Sequence, residues 1–282
     1  MNGILYLVAM PIGNLGDITH RAIEVLRSAD FILAEDTRTS QRVLNHYEID
    51  TPFFSSVYQG AERQRVSSIL SLLEDGKHLA LVSDAGTPLI SDPGFPLVRA
   101  AVEAGYTVVP IPGPCAAITG LIASGLPLDR FRFEGALPRG RGARQSMFAT
   151  LESQEATSVF YESSHRILDS LQLLTEILPT RRLVLARELT KMHEEFLRGT
   201  ASELHSRLAE EDRVRGEFVL IVEGAEAAPA ADQEIIDRLL ADLDTEALPR
   251  KSIVRILTNV LGVPRNEAYR LVHRKDDDEG IS

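Results

Sequence analysis

The sequence predicts an α/β fold whose first half is a mostly parallel sheet with helices on both faces. Continuous apolar runs alternate with helical segments, and uninterrupted apolar strands are typical of parallel sheets buried on both faces. Several of these runs end in loops rich in glycine, proline or charge. Because ligands of such sheets bind beyond the carboxyl ends of the strands, we expect the functional site at these loops. The length of 282 residues predicts two domains rather than one.

Four strands are predicted in the first half of the chain, at 4–9, 31–34, 79–82 and 108–111. The first helix is predicted to begin at a cap formed by Asp17 or Thr19. The loops that follow the strands are 10–16, 35–39, 83–94 and 112–116. Parallel strands bring these loops to one edge of the sheet, so we expect them to form a single crevice.

The second half repeats the alternation and then changes sign of charge. Strands are predicted at 158–162, 183–187 and 218–222, and the polar–apolar alternation of 131–135 predicts an antiparallel strand. We expect three parts: an N-terminal α/β domain (1–115), a C-terminal α/β domain (116–225), and an acidic linker with a basic helical tail (226–282). Two short helices around the turn at 262–264 give the tail the outline of a helix-turn-helix.

The formal net charge of −11 argues against a nucleic-acid partner unless basic residues cluster. They cluster in the tail, where seven Lys and Arg accompany only Glu267 between 249 and 275. They also cluster in the segment PRGRGAR at 138–144, which we predict to be a flexible loop that holds RNA phosphates through Arg139, Arg141 and Arg144. The plainer interpretation of both clusters is solvated surface.

The segment DAGTP, which begins at Asp84, lacks the Lys of a phosphate-binding loop. Gly86 permits close approach of a ligand to the backbone, and the carboxylate suits a ribose or an amino group. The segment DPG at 92–94, which partly repeats DAGTP, is interpreted as a turn that starts the helix at Phe95. PIGNLG has too few glycines for a dinucleotide fold, and Cys115 has no flanking base that would make it a nucleophile.

Further predictions concern metals, location and the charged strand ends. No Cys/His cluster has metal-ligand spacing, so we expect no metal. The N-terminal apolar run is short and lacks a basic flank, and the single Cys fits a reducing compartment, so we expect a cytoplasmic protein.

The charged segment RELTK follows a buried strand, and charges at such a place are costly unless they face a cleft. His165 in YESSHR is interpreted as a general base or, more simply, a capping residue.

Seven ordered motifs between residues 3 and 224 resemble the tetrapyrrole methylase superfamily: VAMPIGNLGDIT, AEDTRTS, LVSDAGTPLISDPG, PIPGPCAAITGLIASGLP, FYESSHRI, LARELTK and GEFVLIVEG. The resemblance implies two α/β domains with S-adenosylmethionine (AdoMet) in the cleft between them, and usually a homodimer. The cofactor-binding residues that it implies are Pro11, Asp84, Ala85, Gly86, Ile90, Pro112, Gly113, Pro114, Thr119, Tyr161, Ala186 and Gly224.

The charged motifs AEDTR, YESSHR and RELTK are similar to those of the branch that methylates a cytidine ribose 2′-hydroxyl in 16S rRNA. This implies an rRNA or small-subunit partner, with Arg187 as a further RNA contact. The catalytic candidates are Lys191, Glu188, Asp36 and Arg38. Lys191 either loses its proton and serves as base, or stays charged beside the developing alkoxide.

Two alternatives stay open. The first is a tetrapyrrole methyltransferase of the uroporphyrinogen or precorrin type, whose polycarboxylate substrate would also attract arginines. The second is a non-catalytic RNA-binding module that uses the tail. PRGRGAR, RELTK and the basic tail favour RNA methylation. One departure is the segment SSVYQGAE at 55–62, which stands where relatives often carry a His/Asn stretch, so any RNA contact there would differ.

Overall fold

The computed structural model describes residues 2–56, 62–211, 214–226, 236, 238–240, 248–261, 263 and 265–273. The chain divides into two compact units, Met1–Ala225 and Glu226–Ser282. Within the described residues, no helix has the length and apolar character that a membrane crossing requires. Most of the segment at 55–62 lies outside the described residues, as does much of the acidic linker.

The unit Met1–Ala225 is called the α/β unit below and contains two lobes, each built around one five-stranded sheet. All strands of the sheet in the first lobe are parallel. Its strands are β1 (Ile4–Val8), β2 (Phe31–Ala34), β3 (Phe53–Ser56), β4 (Leu79–Val82) and β5 (Thr107–Ile111), in the order β3-β2-β4-β1-β5. Its helices are α1 (His20–Ser28), α2 (Thr37–His46), α3 (Glu62–Glu74) and α4 (Phe95–Glu103).

Both faces of this sheet are buried, which explains the continuous apolar strands. In β4, Ala80 and Val82 belong to the core under α1 and α2, whereas Leu79 and Leu81 belong to the core under α3 and α4. Successive side chains of a strand point to opposite faces, so a strand between two cores needs apolar residues throughout. The predicted cap is confirmed at Thr19, whose Oγ1 accepts from the Ala22 amide at 3.2 Å.

The second lobe contains a mixed sheet. Its strands are β6 (Phe131–Ala136), β7 (Thr157–Ser163), β8 (Leu183–Arg187), β9 (Glu195–Gly199) and β10 (Glu217–Val222), in the order β6-β7-β10-β8-β9. Its helices are α5 (Ala116–Ile122), α6 (Arg141–Thr150), α7 (Ile167–Ile177) and α8 (Ala201–Ala209). The mostly parallel sheet expected in the first half of the chain is therefore confirmed, as is a second α/β domain, whose sheet is mixed.

The prediction that 131–135 forms an antiparallel strand was wrong in direction. β6 is an edge strand that pairs in parallel with β7, and its register shifts between Phe133 and Gly135. No residue of β6 is fully buried, and the alternation of polar and apolar residues carries no information on the direction of the neighbouring strand. The other three pairings of this sheet are antiparallel.

Helix α5 belongs to the second lobe by its packing. Ala117 and Leu121 lie in the core formed with β7, β8 and β10. Gly120 permits the close approach, since a Cβ at this position would lie 3.3 Å from the Cβ atoms of Ala186 and Val219. Helices α6, α7 and α8 contribute to the other core of this lobe.

The C-terminal unit contains α9 (Arg250–Val260) and α10 (Arg265–His273), which confirms the two short helices predicted there. They enclose a small core of apolar side chains: Ile236, Ile253, Val254, Leu257, Val263 and Ala268.

Candidate active site

The loops after β1 and β4 are joined to each other. Met10 and Gly86 form an isolated antiparallel bridge, with N···O distances of 2.8 and 3.0 Å. Gly86 has φ +75°, a backbone conformation that favours glycine. A Cβ there would also lie 3.3 Å from Cγ2 of Ile12. The glycine is therefore required by both the backbone and the close packing.

The bend after β5 joins the same wall. Thr87 Oγ1 donates to the carbonyl of Pro114 at 3.0 Å, and Thr19 Oγ1 donates to that of Pro112 at 3.3 Å. A Cβ at Gly113 would lie 2.8 Å from Cβ of Ala9. Three loops at the carboxyl ends of parallel strands thus form one surface, as the sequence predicted.

The loop between β4 and α4 carries two strained residues. Leu89 and Ser91 have φ values of 72° and 68°, which non-glycine residues rarely adopt. Gly94, at φ +120°, caps α4, so the predicted helix start at Phe95 is confirmed. The interpretation of 92–94 as only a structural turn was wrong, because Asp92 lines the cavity described next.

A cavity of about 420 Å³ lies between the two lobes, within the size range of small-molecule sites. The first lobe contributes Ile12, Ala85, Gly86, Thr87, Ile90, Ser91 and Asp92. The second lobe contributes Ala116, Ala136, Tyr161, Glu162, Ser163, Arg166, Leu189, Glu217, Phe218 and Val219. The cavity is therefore apolar on several sides and carries three carboxyl groups.

Two of the cavity-lining side chains have raised pKa values. Burial, with a smaller contribution from the nearby Asp84, raises the pKa of Asp92 to about 6. Burial likewise raises the pKa of Tyr161 to about 12, so its phenol is neutral at physiological pH. The Tyr161 hydroxyl accepts from the Ala117 amide at 3.2 Å, and its ring packs edge-on against Phe133 with centroids 5.0 Å apart.

Glu162 and Arg166 form a fixed ion pair in the wall. The Glu162 side chain is fully buried, and it accepts from Arg166 Nη2 at 2.7 Å and from Ser170 Oγ at 2.9 Å. Arg166 Nη1 also donates to the carbonyls of Leu137 and Pro138 at 3.1 and 3.3 Å. The guanidinium is therefore held in place before any ligand enters.

The RELTK loop places Lys191 between two carboxylates. Its Nζ lies 2.8 Å from Oε1 of Glu188 and 2.9 Å from Oε2 of Glu217. Burial acts to lower the pKa of Lys191, but the hydrogen bonds and charges of both carboxylates together raise it. The hydrogen bond from Lys191 is the main cause of the lowered pKa of Glu188. In this arrangement the two carboxylates favour the charged form of Lys191 over the deprotonated form.

The two lobes touch where this loop meets the loop after β1. A Cβ on Gly13 would lie 2.5 Å from Cγ of Lys191 and 2.9 Å from Oγ1 of Thr190. The aliphatic part of Lys191 therefore occupies the space that a side chain at position 13 would need. Glu188 and Thr190 themselves have positive φ values, 49° and 65°.

The structure brings some of the predicted cofactor residues together and separates others. Ala85, Gly86, Ile90 and Tyr161 line the cavity. Pro11, Asp84, Pro112, Gly113 and Pro114 lie in the joined loops that form its wall. Thr119, whose hydroxyl donates to the carbonyl of Cys115 at 2.9 Å, lies within α5, and Ala186 packs against that helix.

Gly224 lies elsewhere. It follows the carboxyl end of β10, whereas the cavity is lined by Glu217, Phe218 and Val219 at the start of that strand. Gly224 packs closely against the backbone of Glu155. The structure therefore gives this glycine a packing role in place of the predicted cofactor contact.

Asp36 and Arg38 form an exposed ion pair of 2.6 Å at the start of α2. Asp36 caps this helix by accepting from the Arg38 amide, and the Arg38 side chain lowers the pKa of Asp36 to about 2. The Asp36 amide donates to Oδ1 of Asp84 at 2.9 Å. Neither Asp36 nor Arg38 is among the described residues that line the cavity. Through the hydrogen bond to Asp84, Asp36 supports the neighbouring loop.

Two of the predicted RNA-binding arginines have structural partners instead. The segment at 141–144 begins α6, so the predicted flexible loop was wrong there, and Arg144 is turned into the lobe. Its side chain is 4% exposed and lies 3.9 Å from Glu162. Arg187 makes a bidentate pair with Glu211 and lies over the ring of Phe218. Arg139 and Arg141 are exposed.

The sequence prediction missed Asp92, Glu162, Arg166 and Glu217 as cavity residues. Glu162 and Arg166 belong to YESSHR, whose charged character after a buried strand was the available signal. Asp92 belongs to the half-repeat that followed DAGTP. No group of carboxylate, His or Cys side chains among the described residues has the arrangement of a metal site.

Comparison with known proteins identifies the family. The profile of the family Tetrapyrrole (Corrin/Porphyrin) Methylases matches residues 4–205. The chain belongs to the tetrapyrrole methylase family.

Members of this family with high similarity to the chain carry the name Ribosomal RNA small subunit methyltransferase I. The protein of that name from Pasteurella multocida (strain Pm70) is 46% identical over 96% of each chain. The one from Escherichia coli O157:H7 is 47% identical over 95% of this chain and 94% of its own length.

Solved structures share the fold at low identity. Uroporphyrin-III-C-methyltransferase from Thermus thermophilus is 22% identical, with a TM-score of 0.54 over 78% of this chain and 94% of its own. Diphthine synthase is 13% identical, with a TM-score of 0.60 over 79% of this chain and 90% of its own. Both likenesses concern the fold alone.

Proposed function

We propose that the chain transfers a methyl group from AdoMet to the ribose 2′-hydroxyl of a cytidine in 16S rRNA. The observation that carries this proposal is the near full-length similarity to proteins named for methylation of small-subunit ribosomal RNA. We further propose that the protein acts in the cytoplasm as a homodimer, on rRNA or on the assembled small subunit.

The cavity residues fit AdoMet by size and charge. AdoMet carries a sulfonium and an ammonium group, and the carboxyl group of Asp92 lines the cavity. Glu162 and Glu217 also line it, but they are paired with Arg166 and Lys191. The apolar side chains of Ile12, Ile90 and Leu189 suit an adenine ring and exclude water. When bound, the cofactor supplies an activated methyl group.

The charged loop at 188–191 provides what a ribose hydroxyl needs. A hydroxyl is a poor nucleophile at neutral pH and requires either a base or a cation beside the developing alkoxide. The raised pKa of Lys191 fits the cation. Glu188, whose pKa is lowered, is ionised and orients the ammonium through its 2.8 Å hydrogen bond.

Tetrapyrrole methylation is the weaker alternative. A tetrapyrrole substrate carries several carboxylates, whereas the cavity lining holds Asp92, Glu162 and Glu217 against a single arginine, Arg166. Like charges repel, so this lining disfavours a polycarboxylate. An uncharged ribose hydroxyl meets no such repulsion.

The test is transfer of labelled methyl from AdoMet to three acceptors: small ribosomal subunits, free 16S rRNA and uroporphyrinogen. We expect label in rRNA, resistant to alkaline hydrolysis because a 2′-O-methyl group blocks cleavage of the adjacent phosphodiester. Label in the porphyrinogen alone would contradict the proposal. Comparison of the two RNA acceptors identifies the substrate form.

A further inference from the structure

A basic groove runs between the two helices of the C-terminal unit. It encloses about 530 Å³ and is lined by Lys251, Val254, Arg255, Thr258, Asn259, Arg265 and Tyr269. The three cationic side chains are exposed, and Tyr269 is 39% exposed. No acidic residue is among the described residues of its lining.

The helical periodicity of the sequence produces this groove. On α9, Ile253, Val254 and Leu257 enter the core, while Lys251 and Arg255 lie four residues apart on the groove side. On α10, Ala268 is buried. Arg265 and Tyr269 repeat the four-residue spacing on the groove side of α10.

The charge of these helices is opposite to that of the chain. Between 250 and 273 there are five Lys and Arg and a single acid, Glu267, whereas the whole chain carries −11. RNA approaching the protein is repelled by the overall charge, so attraction has to come from a local cluster.

We propose that this groove binds the sugar–phosphate backbone of single-stranded RNA. Lys and Arg contact phosphates, Asn259 offers an amide group, and Tyr269, which is 39% exposed, offers an aromatic ring for base stacking. The Thr258 hydroxyl donates to the carbonyl of Val254 at 2.8 Å and can accept from a ribose hydroxyl. The choice of RNA as the ligand rests on the proposed function. The covalent link to the α/β unit raises the local concentration of RNA near the cavity.

The test is made on the full-length protein, with the triple variant Lys251→Ala, Arg255→Ala, Arg265→Ala. The matched control is Lys77→Ala, Arg99→Ala, Arg207→Ala, which removes the same charge from exposed ion pairs of the α/β unit. Fluorescence anisotropy with a single-stranded 16S rRNA fragment gives Kd at several salt concentrations. Thermal unfolding shows whether each variant is folded.

We expect the groove variant to bind RNA roughly tenfold or more weakly, with the salt slope reduced by about 2, because each lost phosphate contact on a single strand contributes ~0.7. The control is expected to behave like the wild type. Equal Kd and slope for the groove variant and the wild type would overturn the proposal. So would an equal loss in the control, or a loss for assembled subunits only, which would indicate a protein partner.

The outcome is separable from that of the proposed function. Methyl transfer to rRNA with an unchanged KM in the groove variant would overturn the groove and keep the function. Weakened RNA binding in the groove variant, without any methyl transfer by the wild type, would keep the groove and overturn the function.

Discussion

The cavity between the lobes and the groove of the C-terminal unit have opposite charge. The cavity is lined by Asp92, Glu162 and Glu217, and its arginine is already paired. The groove is lined by three cations and no described acid. The net charge of −11 describes neither surface, which shows that ligand class has to be inferred from local clusters.

The two surfaces also differ in how firmly their charges are held. Glu162 is fully buried with several partners, whereas the groove cations are exposed. Buried pairs are screened little by salt and exposed charges are screened strongly. Binding in the cavity is therefore expected to depend on geometry, and binding in the groove on ionic strength.

The largest expected effect is on the free energy of unfolding and comes from Glu162→Gln, which breaks the buried ion pair of the cavity wall. The amide keeps the shape but leaves Arg166 without its carboxylate and the buried Arg144 with Asp169 alone, at 4.0 Å. We expect a loss of about 3 kcal/mol in the free energy of unfolding, as for other broken buried pairs. Urea unfolding measures it, with Glu176→Gln, an exposed partner of Arg141, as control at under ~1 kcal/mol. Equal losses would contradict the buried role.

The next effect concerns Lys191, the cation that pairs with Glu217 of the cavity lining. Lys191→Ala is expected to lower kcat by about 10²–10³-fold, as for loss of a group that stabilises a developing oxyanion, while AdoMet affinity by calorimetry is retained. Lys77→Ala, which breaks an exposed pair with Asp30, serves as the control. Near-wild-type turnover in Lys191→Ala would exclude the role.

A smaller effect concerns Asp92, whose ionised side chain in the cavity lowers the free energy of unfolding. Because the pKa of Asp92 is raised to about 6 in the folded state, mainly by burial, the folded protein binds this proton more tightly than the unfolded chain. The ionised side chain therefore destabilises the fold above pH 6, and this penalty fades as the pH falls below 6. Asp92→Asn removes it, so we expect the variant to be more stable than the wild type by about 1 kcal/mol at pH 8.

The control for Asp92→Asn is the pH dependence itself. Urea unfolding between pH 8 and pH 5 should show the difference between variant and wild type shrinking as the pH falls. AdoMet should bind the variant more weakly at pH 8, since a carboxylate facing a cation is lost. A stability difference that grows toward low pH would contradict the assignment.

The smallest effect sharpens the comparison on the α/β unit. Of the three arginines in the predicted RNA-binding loop of this unit, Arg139 and Arg141 are exposed. Replacing both with Ala is expected to reduce the salt slope of RNA binding by about 1, less than the groove variant. The control is Arg99→Ala, Arg207→Ala, two exposed and paired arginines of the same unit. An unchanged slope would assign RNA attraction to the C-terminal unit.

The sequence predicted four of the five strands of the first sheet, because burial on both faces makes their apolar runs continuous. It did not predict β3, the short strand at the edge of that sheet. It did not predict α2, since TRTSQRVLNH holds few strong helix formers, and the helix depends on the Asp36 cap and on burial of Val43 and Leu44. It could not predict the direction of β6, because alternation of polar and apolar residues occurs in edge strands of either direction.

The site was predicted to the level of loops but not of every side chain. Strand ends located DAGTP and RELTK, since loop position follows from parallel topology. Arg144 was misassigned because a glycine-rich basic segment looks alike whether it is a loop or the first turn of a helix with a buried face. Glu162 and Asp92 belong to different lobes, and the cavity that both line is formed only by the two lobes together, which the sequence does not show.

The contact between Gly13 and Lys191 has a consequence for sequence variation. A Cβ at residue 13 would lie 2.5 Å from Cγ of Lys191, 2.9 Å from Oγ1 of Thr190 and 3.0 Å from the Leu189 carbonyl oxygen. Residue 13 can therefore gain a side chain only if this loop changes, above all at residue 191. The two positions are 178 residues apart in the sequence, yet their sizes are tied to each other. Among related chains, a lysine at position 191 is therefore expected to accompany glycine at position 13, and the two are expected to change together.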